Sequence, residues 1–437
     1  MAPTHINSFP PEILAHTVSF SDYEKDNCKG LLQLASVCSH WHDVLFASPQ
    51  FWTTLKCSIS TKLKNEPHTI VPQLIAHLER WFGRAGDLPW TLCLSFDVAP
   101  RKTASLNEYL VSIPRWKNLT FALDIKGGTN WTWLEGLIAS AEESYATTNG
   151  RGCWPGLETL EIDAPDVRYG PDRLTLPLKY IAPNLRQFKI TIKDLTAPVC
   201  TVFNDFSVAS LTVFEFAGAL GTETLSFYLH LLTHAPNLES MKVLDEQDDF
   251  SPVSPLSTDV PLPVVHHKLQ HLALHDSPNA MNFLKSIRLP SLHSFDLARS
   301  YCPGGTAQPL FSTPVTDAVR DLVSTSRCEI RTLKLKWTPL FVEDLVSVVT
   351  SHPAVEVLEL DEPACFWSLP EAFFDALQDA QNRQDVLPKL KMFSYNRGVR
   401  TYLAREGEEG FELFRRAPLE WWEASVETHA EFGDVFG

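Results

Sequence analysis

Four histidines, His266, His267, His271 and His275, form the densest group of side chains that could ligate a metal or move a proton. On a helix, steps of four residues would bring imidazoles onto one side, as zinc sites require. Here His271 and His275 fall in a phrase that alternates like a strand, and no cysteine or carboxylate stands at ligand spacing. The group therefore reads as structural. His40 and His42 flank Trp41 two residues apart, which puts them on different sides of a helix. No Gly-x-Ser-x-Gly elbow, Walker loop or Gly-x-Gly-x-x-Gly turn occurs. Asp361 and Glu362 suit a solvated surface better than an acid–base pair. The expectation is a chain that binds and does not catalyse, with no cofactor and no metal.

Composition narrows what it could bind. The 437 residues carry 53 acidic and 37 basic side chains, a formal net charge of -16. Nucleic acid and anionic membrane need a basic footprint, and no run of Lys or Arg supplies one. No stretch approaches the roughly 20 apolar residues that span a bilayer, and Met1–Asn7 lacks the basic start and apolar core of a signal peptide. The nine cysteines are scattered, without a Cys-x-x-Cys pair, and read as reduced thiols. A cytoplasmic or nuclear protein whose partners are other proteins is expected.

The elements that would position such a binding surface repeat along the chain. A phrase Leu-x-x-(Leu/Phe/Met)-x-(Leu/Ile/Val) begins, with conservative variation, at Leu157, Leu185, Leu211, Leu238, Leu269, Leu292, Ile330, Val355 and Leu390. Its alternation predicts one short strand per copy. The segments 53–59, 88–96 and 118–125 alternate in the same way. Helical stripes lie between the strands. Leu74, Ile75, Leu78, Trp81 and Phe82 form one, Leu225, Tyr228, Leu229 and Leu232 another, and Val319, Leu322 and Val323 a third; Val342, Leu345, Val346 and Val349 form a fourth. This is a leucine-rich-repeat phrase with irregular spacing, mostly at or above the usual ~20–29 residues. Stacked copies would share one core as a curved solenoid with a parallel sheet. Asp245–Val265, acidic and rich in Ser-Pro, should be an exposed loop.

Between the second and third apolar positions of each phrase stands one residue that points away from the core. In order these are Glu161, Lys189, Glu215, Lys242, Ala273, Asp296, Lys334, Glu359 and Ser394. The charged members, Glu161, Lys189, Glu215, Lys242, Asp296, Lys334 and Glu359, are the candidate target-binding residues. Opposite charges on adjacent strands also support each other, so a ladder that stabilises the sheet explains the row as well as a recognition face does.

The N-terminal stretch has a different character. Phe9-Pro10-Pro11-Glu12-Ile13-Leu14 opens a helix, because a first turn has no use for the missing proline N–H groups. Leu31, Leu34, Ala35, Cys38, Trp41 and Leu45 recur every three or four residues, and Ser48-Pro49-Gln50-Phe51-Trp52 signals a further helix start. Three short helices cannot bury this much aromatic and aliphatic surface among themselves.

These residues resemble the F-box family, whose pattern is roughly Leu-Pro-x-Glu-Ile-Leu, a spacer, Leu-x-x-Val-Cys-x-x-Trp and a Pro-x-Leu-Trp ending. Phe9 stands where the family usually has Leu, no basic residue stands near Ser39 other than His40, and the spacer Ser19–Gly30 is long and acidic. The resemblance implies a helical hairpin that docks on the Skp-type adaptor of a cullin–RING ubiquitin ligase, with Phe9, Pro10, Pro11, Ile13, Leu14, Leu34, Val37, Cys38 and Trp41 making or supporting the contact. Leu78-Glu79-Arg80-Trp81-Phe82-Gly83 to Pro89 is also similar to phrases in the F-box repertoire of mushroom-forming fungi. The expected fold is α/β, an N-terminal helical F-box over 1–60 followed by an irregular leucine-rich-repeat solenoid over 61–396, with 397–437 as a C-terminal cap or tail. The expected function is substrate recognition for such a ligase, the repeats holding a protein target. The alternative is a repeat scaffold whose helical start is only a cap.

Overall fold

The computed structural model describes residues 10–19, 27–59, 70–96, 103–123, 131–148, 150, 152–164, 178–194, 209–219, 224–245, 263–275, 278–298, 312–336, 351–362, 387–397, 400–407 and 410–414. The chain is α/β and divides into two compact units, Met1–Glu223 and Thr224–Gly437.

The first unit opens with three short helices, α1 (Pro11–Ser19), α2 (Asn27–Ala35) and α3 (Ser39–Ala47), and a 3-10 turn at Pro49–Trp52. Strands and helices then alternate: β1 (Thr54–Ile59), α4 (Ile70–Phe82), β2 (Trp90–Phe96), α5 (Ala104–Ser112), β3 (Trp116–Leu123), α6 (Trp131–Thr147), β4 (Thr159–Ala164), α7 (Leu178–Ile181), β5 (Gln187–Asp194) and β6 (Val213–Ala219). The six strands pair in sequence order, all parallel. A parallel neighbour needs a crossover, and α4 to α7 supply those between β1 and β5, touching one another in the order of the strands they join.

Parallel strands covered on both faces read as unbroken apolar runs; these alternate, so one face is covered and the other open. On the covered face Leu55, Leu92, Leu119, Leu160, Phe188 and Phe214 stand in register and are buried. Gly218 in β6 lies opposite Ile192 with φ +152, in the region open to glycine. A Cβ there would run into the Ile192 carbonyl.

Tryptophans tie the N-terminal helices to this sheet. Trp52 Nε1 donates to the Leu45 carbonyl at 3.0 Å and its ring meets Trp81 edge-on at 4.7 Å. Trp81 Nε1 in turn donates to Thr54 O at 3.1 Å. The Arg84 guanidinium lies 4.5 Å over the Trp52 ring. Strand β1 lies inside the segment 1–60 expected to be a separate helical domain, yet it pairs with β2 over its whole length. Its alternation extends the sheet by one strand.

The second unit contains the helices Thr224–His234, Pro278–Lys285 and Ser312–Ser326. Its sheet runs β7 (Ser240–Asp245), β9 (His271–His275), β11 (Ser294–Ala298), β12 (Thr332–Lys336), β13 (Val357–Glu362) and β14 (Met392–Arg397), all parallel. Two further strands, β15 (Arg400–Gly407) and β16 (Gly410–Phe414), add on antiparallel. The short strands β8 (Val264–Val265) and β10 (Ile287–Arg288) pair separately.

Each of the nine leucine-rich phrases forms one strand, and its opening residue, from Leu157 to Leu390, is buried just before the strand begins. The part of 397–437 that is described is sheet: Arg400–Gly407 pairs antiparallel with β14 and Gly410–Phe414 with β15. Phe9, the stripe Val342–Val349 and most of the Asp245–Val265 loop lie outside the described residues.

Candidate binding surfaces

The N-terminal helices bury one stripe and expose another. Pro10 presents its carbonyl to the amides of Ile13 and Leu14 at 3.0 and 3.1 Å, so α1 starts as its two prolines dictate. Leu14 and Val18 of α1, Leu31 and Ala35 of α2, and Trp41, Val44 and Leu45 of α3 face inward and are buried. Leu34 and Cys38 are half-buried, while Pro10 and Pro11 are exposed. Ile13 is 50% exposed, Leu32 44% and Val37 58%. Val37 stands in the tight connection between α2 and α3, where its amide bonds back to Leu34 O and Ser36 Oγ to Gln33 O.

Of the residues expected to make the adaptor contact, Leu14 and Trp41 therefore support the surface from inside, and Pro10, Pro11, Ile13 and Val37 lie on it. Trp41 is more than nine-tenths buried, and its Nε1 has no partner among the described residues. The interior of this helix group takes its ring. Leu32 was not among the expected residues. Its signal was an apolar side chain one step off the Leu31–Ala35 stripe, where a polar one would otherwise stand.

The open faces of the sheets carry the second surface. In the first unit Lys56, Cys93, Thr120, Glu161, Lys189 and Glu215 stand side by side in register. Lys189 Nζ lies 3.1 Å from Glu215 Oε1, and Thr120 Oγ1 donates to Glu161 Oε2 at 3.3 Å. In the second unit the row is Lys242, Ala273, Asp296, Lys334, Glu359 and Ser394. Lys334 Nζ lies 2.9 Å from Glu359 Oε1. Ala273 breaks the alternation of sign, leaving Lys242 and Asp296 without opposite charges on the strand between them. Burial pushes the Asp296 carboxyl upward, against the pull of Lys334 and His271. Its Oδ1 and the Oγ of Ser294, two residues before it, are buried without partners among the described residues.

The histidine group is dispersed by the fold. His266 is buried as a peg: its ring reaches the Ala235 carbonyl through Nε2 at 3.0 Å, and Nδ1 accepts the Leu269 amide at 3.0 Å. His271 is exposed on the open face and His275 buried at the end of β9. Among the described residues no group of three or more His, Cys, Asp or Glu could hold a metal ion.

A shallow cleft of about 770 Å³ opens at the ends of α5 and α6, lined by Val111, Ser112, Pro114, Thr148 and Cys153. Three of its polar groups already have partners: Ser112 Oγ bonds Tyr109 O, Thr148 Oγ1 bonds Ser144 O, and the Cys153 thiol faces Ile181 O. Burial pushes that thiol up to about 12, so it stays protonated and unreactive. No helix among the described residues is long and apolar enough to cross a membrane. No family model matches the chain, and neither does any curated protein.

Proposed function

We propose that the chain is a substrate-recognition subunit of a Skp–cullin–F-box ubiquitin ligase, working in the cytoplasm or nucleus. The helices at its start dock the Skp-type adaptor, and the strand phrases, read as an irregular leucine-rich-repeat solenoid, present a protein target. Its contribution is positional: the ligase carries the reactive thioester, and this chain raises the local concentration of the target beside it. No residue of its own takes part in the transfer.

One observation carries the reading. The N-terminal helices bury Leu14, Leu31, Trp41 and Leu45, yet leave Ile13, Leu32 and Val37 exposed within the stretch that resembles the F-box. Half-exposed aliphatic side chains cost hydrophobic free energy unless a partner covers them, about 25 cal/mol per Å² of apolar area. What favours the plain scaffold instead is the tryptophan bonding of these helices to β1 and α4, which is how a built-in cap would be held.

Co-expression with a Skp-type adaptor, followed by size exclusion, separates the two. Under the ligase reading a one-to-one complex elutes, and a Leu32→Asp, Val37→Asp variant folds with an unchanged far-UV spectrum but elutes alone. A well-folded wild type that ignores the adaptor overturns this reading in favour of the scaffold.

A further inference from the structure

The helix Thr224–His234 ends with two histidines one turn apart, His230 and His234. Their rings stack with centroids 3.9 Å apart and planes inclined by 26°. The Nδ1–H of His234 donates to the His230 carbonyl at 2.9 Å. A carbonyl can only accept, so that bond sets the tautomer and leaves Nε2 of His234 with its lone pair free for an external partner. Metal-ligating histidines are commonly held this way, one ring nitrogen donating to a backbone carbonyl while the other binds. His230 is half-buried and His234 exposed, so the pair is open to solvent.

We propose that His230 and His234 form a two-point site for a borderline divalent transition ion such as Cu²⁺, Ni²⁺ or Zn²⁺, with solvent completing the coordination. Residues four apart on a helix are neighbours on its surface, and paired histidines at this spacing are a recurring zinc-ligating arrangement. With metal–nitrogen bonds of about 2.0–2.1 Å and tetrahedral angles, the two nitrogens must stand about 3.3 Å apart, a spacing within reach of rings whose centroids lie 3.9 Å apart. Converging both lone pairs on one ion needs the His230 ring to turn about its broad χ2 torsion, while His234 keeps its bond to the His230 carbonyl. Neutral nitrogen suits these ions and does not suit Mg²⁺ or Ca²⁺, which take oxygen.

The test is hydrogen exchange of the full-length protein, read on the peptide that covers Thr224–His234. An ion bridging the last turn should slow exchange there by about tenfold at free Ni²⁺ ten times its dissociation constant. EDTA should reverse the effect, Mg²⁺ should not reproduce it, and Cu²⁺ should act at lower concentration than Ni²⁺. His234→Gln should abolish the metal-dependent slowing, measured against that variant's own exchange in metal-free buffer. Exchange unchanged by saturating Ni²⁺ or Cu²⁺, or slowed equally in His234→Gln, overturns the assignment.

Discussion

Replacing His266 by alanine removes a ring that joins two segments of the second unit. The ring is 3% exposed, donates to Ala235 O at 3.0 Å and accepts from the Leu269 amide at 3.0 Å. The two losses differ in size. Ala235 O still accepts the Leu238 amide, so its bond to the ring is worth only about 0.5–1.5 kcal/mol. The Leu269 amide is left without an acceptor in a buried place, which costs about 1–3 kcal/mol. The sum is about 1.5–4.5 kcal/mol before any cavity term. Asparagine discriminates, because its side-chain oxygen can accept amides two or three residues on in an Asx turn, the position Nδ1 now holds. His266→Asn should therefore recover the Leu269 part and cost about 1 kcal/mol.

The assay is the opening free energy of the Leu272–Leu274 amides in β9, by native-state hydrogen exchange corrected for intrinsic rates. Burial lowers the proton affinity of His266, and a proton on Nδ1 would face the Leu269 amide head-on. Above the unfolded value of about 6.5 both states are neutral and pH has no effect. Below it the unfolded chain takes a proton that the folded state resists. Wild type then loses stability as pH falls toward the lowered folded value, at no more than about 1.4 kcal/mol per pH unit. The Asn variant should show a flatter profile over the same range. Equal costs for Ala and Asn, or a wild-type profile that matches the Asn variant, would refute the peg reasoning.

A double-mutant cycle of Lys334→Ala with Glu359→Ala should return a coupling of about 0.2–1 kcal/mol that shrinks in salt, since the 2.9 Å pair is about a quarter exposed. If both single variants leave stability alone yet weaken target capture, the row is a recognition face rather than a ladder. Native protein treated with iodoacetamide at pH 8 should leave Cys153 and Cys328 unmodified, because burial pushes their thiols up to about 12 and about 11. Both should label after unfolding, and labelling of the native state at either would contradict their burial.

Much of the fold was legible because strand and helix periods are local. The recurring phrase marks its strands so well that each opening apolar residue is buried. The stripe from Leu74 to Phe82 marks α4, whereas α5 and α6 carry weaker periodicity. Helix α6 carries its own sign, with Trp133, Leu134, Leu137, Ile138 and Ala141 all buried on one side; Gly and Trp residues around it obscured the pattern.

Residue types alone determined that the chain is an α/β protein built from repeated strand phrases, with two helix-opening prolines at its start and an alternating row of charge. Which of those charges meet was decided by register: Lys189 reaches Glu215 and Lys334 reaches Glu359, while Asp296 sits beside an alanine. Exposure, too, came only with packing. Leu14 and Trp41 look as fit for a partner as Ile13 and Val37 do, yet the first two point into the helix core and the second two out of it. His266, one of a crowd in the sequence, found its carbonyl 31 residues away. A period of 3.6 or 2 is written in neighbouring residues, whereas burial and pairing depend on segments that meet only when the chain has folded.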